Sequence, residues 1–176
     1  MASWLQAPSG LVDSDWNASF VCGLLFLGLL AGAPWAIAQA KIGALAPDFT
    51  LSDSKGVSHS LAQSKGKFVV LEWLNPECPF VKKHYDSLNM QKLQKTYTDK
   101  GVVWYSIDSS GEGRSGHLTP ELANKMMQER GAVPTAILLD NAGSVGKSYG
   151  ARATPHMFVI SPEGLLISTR VINEFW

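Results

Sequence analysis

The chain has 176 residues, enough for one domain and hardly for two. Fifteen Lys and Arg balance fifteen Asp and Glu, and zero net charge argues against the broad positive surface that nucleic acid requires. Two cysteines exclude a disulfide-dense scaffold and a zinc site built from four cysteines.

The first forty residues hold no Lys or Arg and only Asp13 and Asp15. Ser19 to Ala33 reads SFVCGLLFLGLLAGA, and Ala38-Gln39-Ala40 follows. An uncharged apolar run before a small-x-small site reads as a secretory signal peptide cleaved after Ala40. Counted on to Ala40, the run is just long enough for a bilayer, so a membrane tether through residues 19–40 is the alternative. The residues before it lack the positive charge of an export signal, which keeps open a buried helix of a cytosolic protein. The division expected is 1–40 as signal peptide or anchor and 41–176 as one exported domain, periplasmic or extracellular.

Asp48 to Leu61 alternates around Ser54-Lys55-Gly56, as in a short hairpin. Phe68 to Trp73 is a nearly continuous apolar run, the pattern of a strand buried on both faces. After Pro76, Cys78 and Pro79, the spacing of Val81, Tyr85, Leu88 and Leu93 predicts one helix from Cys78 to Thr98, stopped by Gly101. Val102 to Ile107 is a second buried strand, and Ser109 to His117 is loop. Thr119 caps a helix that runs to Arg130, with Pro120 in its first turn and Glu121 near its positive end. Ala136 to Leu139 is a strand, and Val145 to Tyr149 a short helix ended by Gly150. His156 to Ile160, the turn Ser161 to Gly164, and Leu165 to Ser168 form a terminal hairpin. Strands alternating with helices imply an α/β fold with a mixed central sheet.

Cys78 is the one cysteine outside the apolar run, and it stands where a buried strand ends and a helix opens. Unpaired amides and the macrodipole at a helix start favour a thiolate and lower the thiol pKa. Lys82, Lys83 and His84 add positive charge, and Glu77 opposes them. The plain alternative is a structural cysteine packed under the sheet edge.

Three stretches carry a family resemblance. Asn75-Pro76-Glu77-Cys78-Pro79-Phe80-Val81-Lys82 resembles the active-site turn of the thioredoxin-like redoxins, in the peroxiredoxin-like branch of the alkyl hydroperoxide reductase and thiol-specific antioxidant superfamily. Gly43 to Leu51 resembles the entry of that superfamily, and Tyr149 to Ile160 its Thr-Pro strand entry. The resemblance covers Lys41 to Ser168. It implies a thioredoxin-like fold, an N-terminal hairpin and a redox-active Cys78. It also implies a cis Thr154-Pro155 bond facing that cysteine, with Thr154, Pro155, His156 and Pro79 shaping a substrate groove. Glu72, six residues before Cys78, takes the place of the buried acid that exchanges protons with the sulfur.

The departures limit the chemistry. Val81 stands where a thioredoxin-type exchanger has its second cysteine, and the threonine of the peroxiredoxin motif is absent. The activity expected is therefore single-cysteine reduction of a peroxide or disulfide through Cys78, resolved by an external thiol or a disulfide partner protein, with no cofactor and no metal. A non-catalytic binding module and a copper carrier using Cys78 and His156 are the alternatives. The chain stops soon after Ser168, too short for the final helix that closes redoxin sheets, so one sheet face is expected to stay partly bare.

Overall fold

The computed structural model describes residues 39–172; the apolar run with Cys22 and the last four residues lie outside them. In chain order the elements are strands β1 (Thr50–Ser52), β2 (Ser58–Ser60) and β3 (Val69–Trp73), helices α1 (Pro79–Asp86) and α2 (Asn89–Thr98), and strand β4 (Val103–Asp108). Helix α3 (Pro120–Glu129), strand β5 (Ala136–Leu139), helix α4 (Ser144–Tyr149) and strands β6 (His156–Ile160) and β7 (Leu166–Val171) complete the chain. The main sheet has the order β5-β4-β3-β6-β7. β3 lies parallel to β4 and antiparallel to β6, so the sheet is mixed as expected. The hairpin β1–β2 lies against the outer edge of β5, through an Asp53–Leu138 bridge and a 3.1 Å bond from the Ser54 amide to the Ile137 carbonyl. The other edge is β7, which runs three residues beyond the expected Ser168.

β3 is buried along its whole length, and its alternation feeds two cores. Val69, Leu71 and Trp73 pack with Phe49, Tyr105, Tyr149 and Phe158 on the α4 face. Val70 and Leu74 pack with Val81, Tyr85, Met90, Ala123 and Met126 on the face of α1, α2 and α3. Thr119 caps α3 as expected, accepting from the Leu122 amide at 3.3 Å.

The single helix expected from Cys78 to Thr98 is two helices. α1 ends at Asp86, and Leu88 takes a left-handed backbone with φ of 59° before α2 begins. The cause lies in the core. Tyr85 and Gln94 both reach the carboxyl of Glu72, and Gln94 Nε2 also donates to the Tyr85 hydroxyl at 3.0 Å. At about 100° per residue, positions nine apart in one straight helix point to opposite sides. The break turns both side chains onto one acid.

Glu72 is fully buried. Its Oε1 accepts from the Tyr85 hydroxyl at 2.9 Å. Its Oε2 accepts from Trp104 Nε1 at 2.9 Å, Ser106 Oγ at 2.9 Å and Gln94 Nε2 at 3.1 Å. Burial pushes its pKa above the ordinary carboxyl value, and these four donors offset only part of the rise.

The same face of the sheet carries an open apolar groove of about 540 Å³ beside α2, lined by Phe68, Tyr97, Trp104, Met157 and Val159 among others. Among the described residues no helix follows β7.

Glu72→Ala orphans four buried donors and should cost about 3 kcal/mol or more in urea unfolding. Glu72→Gln keeps an acceptor for three of them and should cost far less. The raised folded pKa makes the ionised form the disfavoured one. Wild-type stability should therefore carry a penalty that begins as pH passes the free-carboxyl range and levels off above the folded value, and Glu72→Gln should remove that component. Leu88 is 65% exposed in its left-handed turn, so Leu88→Gly should stabilise the protein by roughly 0.5 kcal/mol on thermal unfolding.

Candidate active site

The site forms where β3 leaves the sheet. Leu74 prolongs the pairing through its amide to the Ile107 carbonyl at 3.0 Å, and the chain then turns at Asn75. Asn75 Oδ1 accepts from the Glu77 amide at 2.8 Å, and its Nδ2 donates to the Ser115 carbonyl at 2.9 Å. The Cys78 amide donates to the Asn75 carbonyl at 3.1 Å, and the Cys78 carbonyl accepts the first α1 bond, from Lys82, at 3.0 Å. Gly116 packs so closely on Asn75 that a Cβ there would lie 2.2 Å from the side chain. Asn75 is a positioning residue: the motif opened on it, but motif reading gave it no role of its own. Its signal was local: an Asn three residues before a helix start, able to tie backbone on both sides of a turn.

Cys78 is the N-cap of α1, with extended backbone, and Pro79 at the next position gives up an amide that the helix would leave unpaired anyway. Pro79 itself is exposed. The Cys78 thiol donates from Sγ to the Thr154 carbonyl at 3.0 Å. The Thr154-Pro155 bond is cis, as the resemblance implied. Burial pushes the thiol up, but hydrogen bonding with Thr154 and the amides of Val81 and Phe80 outweighs it, leaving the pKa below that of an ordinary thiol. All three suit an anion, Thr154 through its side chain; the Thr154 carbonyl that accepts from Sγ suits the thiol instead. His84 does not join them: it is buried, with Nδ1 against Asn89 Nδ2 at 3.0 Å.

Two of the expected site residues make their hydrogen bonds to groups other than the sulfur. Glu72 is buried as expected, but its oxygens are taken by Tyr85, Trp104, Ser106 and Gln94, and Cys78 is not among its partners. His156 pairs with Trp73 across β3 and β6, which turns its ring onto Phe158 at 4.3 Å. Its Nε2 meets Thr169 Oγ1 at 2.9 Å, and its Nδ1 accepts from the Arg152 amide at 3.5 Å. Burial, helped by the charge of Arg152, lowers its pKa. Both ring nitrogens thus have partners other than Cys78, the Arg152 amide and the Thr169 hydroxyl. Among the described residues no cluster of three or more His, Cys, Asp or Glu is placed to hold a metal.

A cleft of about 450 Å³ opens beside the thiol turn, with Trp73, Asn75, Ser109, Lys147, Arg152 and Thr154 on its walls. Trp73 Nε1 donates to Ser109 Oγ at 3.0 Å, and Ser109 Oγ donates to Asp140 Oδ2 at 2.7 Å. The Gly146 amide reaches the same oxygen at 2.8 Å, which ties α4 to the ends of β3 and β4.

Comparison with known proteins agrees with this architecture. A model described as the AhpC/TSA family matches residues 42–169. The thiol-disulfide oxidoreductase ResA of Bacillus thuringiensis subsp. konkukian is 26% identical over 147 residues, covering 84% of this chain and 79% of that protein. ResA of Bacillus cereus is 27% identical over 129 residues, 73% of this chain and 69% of its own length. An uncharacterized conserved protein from Geobacillus kaustophilus superposes with a TM-score of 0.68 at 26% identity, over 76% of this chain and 71% of that one. The thioredoxin domain of a thiol-disulfide oxidoreductase from Bacteroides vulgatus gives a TM-score of 0.59 at 26% identity, over 76% of this chain and 90% of that one. A family match across nearly all of the described sheet, with Cys78 and the cis Thr154-Pro155 turn meeting at its edge, places the chain in the AhpC/TSA family as a thioredoxin-like redoxin.

Proposed function

We propose that the protein exchanges thiols and disulfides through Cys78 alone. The observation that carries this reading is the placement of Sγ, half-buried at the start of α1, with the amides of Phe80 and Val81 favouring its anion. The thiolate attacks one sulfur of a disulfide, forming a Cys78 mixed disulfide and expelling the other sulfur as a thiolate, which takes a proton from solvent. An external thiolate then attacks the mixed disulfide and releases Cys78 as its anion, so one disulfide is consumed for each one formed. The relatives named as thiol-disulfide oxidoreductases support exchange over peroxide reduction. Val81, fully buried in the α1-side core, fills the place where an internal resolving thiol would stand.

Pro155 and Thr154 shape the approach to Sγ, and Pro79 rims it. Glu72 acts as a positioning residue: it holds Tyr85, and through it the helix that Cys78 caps. The apolar run of residues 19–40 exports the domain or tethers it to a membrane.

In the full chain carrying Cys22→Ser, iodoacetamide should alkylate Cys78 with a pH midpoint below that of a free thiol. An unperturbed thiol is only a few per cent ionised at about pH 7, so the rate there should be several-fold above a small-molecule thiol. Cys78→Ser should abolish mixed-disulfide formation seen by mass spectrometry. A Cys78 that alkylates no faster than a free thiol at neutral pH would remove the catalytic reading and leave a binding module.

A further inference from the structure

We propose that the cleft beside Cys78 takes the carboxylate of a low-molecular-weight anionic thiol, or of its disulfide, with Lys147 and Arg152 supplying the opposing charge. The inference rests on the exchange chemistry above and names the class of molecule that enters it. At about 450 Å³ the cleft has the size of a small-molecule site. Two of its wall residues are the ones that hold Cys78. The Asn75 carbonyl accepts the Cys78 amide at 3.1 Å, and the Thr154 carbonyl accepts from Sγ at 3.0 Å. A molecule seated there lies against two of the residues that touch the nucleophile.

The charge of this cleft is one-sided. Lys147 and Arg152 are exposed, and among the described residues neither is in an ion pair. No Asp or Glu lines the cleft, and the segment Gly143 to Thr154 contains none. Asp140 lies behind the wall, 2% exposed, with its oxygens accepting from Ser109, Ser144 and the Gly146 amide. On the other side of the thiol turn a second cleft, of about 440 Å³, mixes Arg114, Lys125 and Arg130 with Glu77 and Glu129. The cation-only side therefore selects an anion, and the mixed side does not. Asn75, Ser109 and Ser110 add polar residues to the cleft wall. Gly146 keeps α4 close: a Cβ there would lie 2.9 Å from Ser109 Oγ and 3.3 Å from Trp73 Nε1.

The exchange balances with the external thiol of the proposed function as its second reactant. Cys78 thiolate attacks the carboxylate-bearing disulfide, the S–S bond breaks, and one anionic thiolate leaves and is protonated by solvent. A thiolate of the partner protein then attacks the small molecule's sulfur in the mixed disulfide, which releases Cys78 as its thiolate and leaves the partner and the anionic thiol joined as a disulfide.

The test uses the full chain with Cys22→Ser and two disulfides of matched size, dithiodipropionate and its neutral bis-amide. Each rate constant for Cys78 is divided by that of mercaptoethanol with the same disulfide. At low ionic strength the normalised preference for the anion should be about fivefold, and it should fall toward unity as salt is raised. In Lys147→Glu with Arg152→Glu the preference should invert. Equal normalised rates for the two disulfides in the wild type, or a preference unchanged by the charge reversals, overturns the anion site alone. A Cys78 inert to both disulfides overturns the exchange reading and this one with it. The wild-type salt titration decides the matter even if the double variant folds poorly.

Discussion

The fold turns on one buried carboxyl group. Glu72 sits on the central strand with no access to water, and bare it would be among the most costly groups in the protein. Four donors repay that cost, and they come from three separate elements: Tyr85 on α1, Gln94 on α2, and Trp104 and Ser106 on β4. The need to satisfy this acid sets the break between α1 and α2. It also ties to the sheet the helix that presents Cys78. A polar residue thus acts here as a register mark: the rotations of α1 and α2 bring one donor from each helix to the two oxygens of a single carboxyl.

The sulfur lives between two kinds of partner. The Thr154 carbonyl can take the thiol proton at 3.0 Å, and the amides of Phe80 and Val81 suit the anion. Each protonation state therefore has its own support, and ionisation moves the sulfur's interactions by one hydrogen bond rather than leaving a charge stranded. Lys82, Lys83 and His84 looked useful in the linear chain. The groups that lower the Cys78 pKa are instead main-chain amides at the helix start and Thr154, so geometry supplies what nearby charge seemed to offer.

Much of this was legible beforehand. The apolar run before Trp73 announced a central strand, and Thr119-Pro120-Glu121 announced the start of α3. Cys78 and Thr154-Pro155 stood out by motif. The direction of His156 was also readable, because it shares its parity with Phe158 and Ile160 and so belongs with the core they face. The break at Leu88 was not legible: neither Gly nor Pro marks it, and its cause is an acid more than a dozen residues earlier. The partners of Glu72 were hidden for the same reason. Trp104 read as core alone, and only the pairing of β3 with β4 brings its indole nitrogen to Oε2. Lys147 carried no motif, and Arg152 lay within the Tyr149 to Ile160 stretch without a sign that the two would meet; the turn after α4 puts them on one wall.

The apolar groove beside α2 bears on how the molecule behaves in company. Folding leaves Phe68 and Tyr97 nearly half in water there, so the hydrophobic drive to cover them persists in the finished domain. A chain of zero net charge has no long-range repulsion to hold two such surfaces apart. Colloidal stability should therefore be poorest close to neutral pH and recover on either side of it, where acquired charge of either sign keeps neighbouring molecules at a distance.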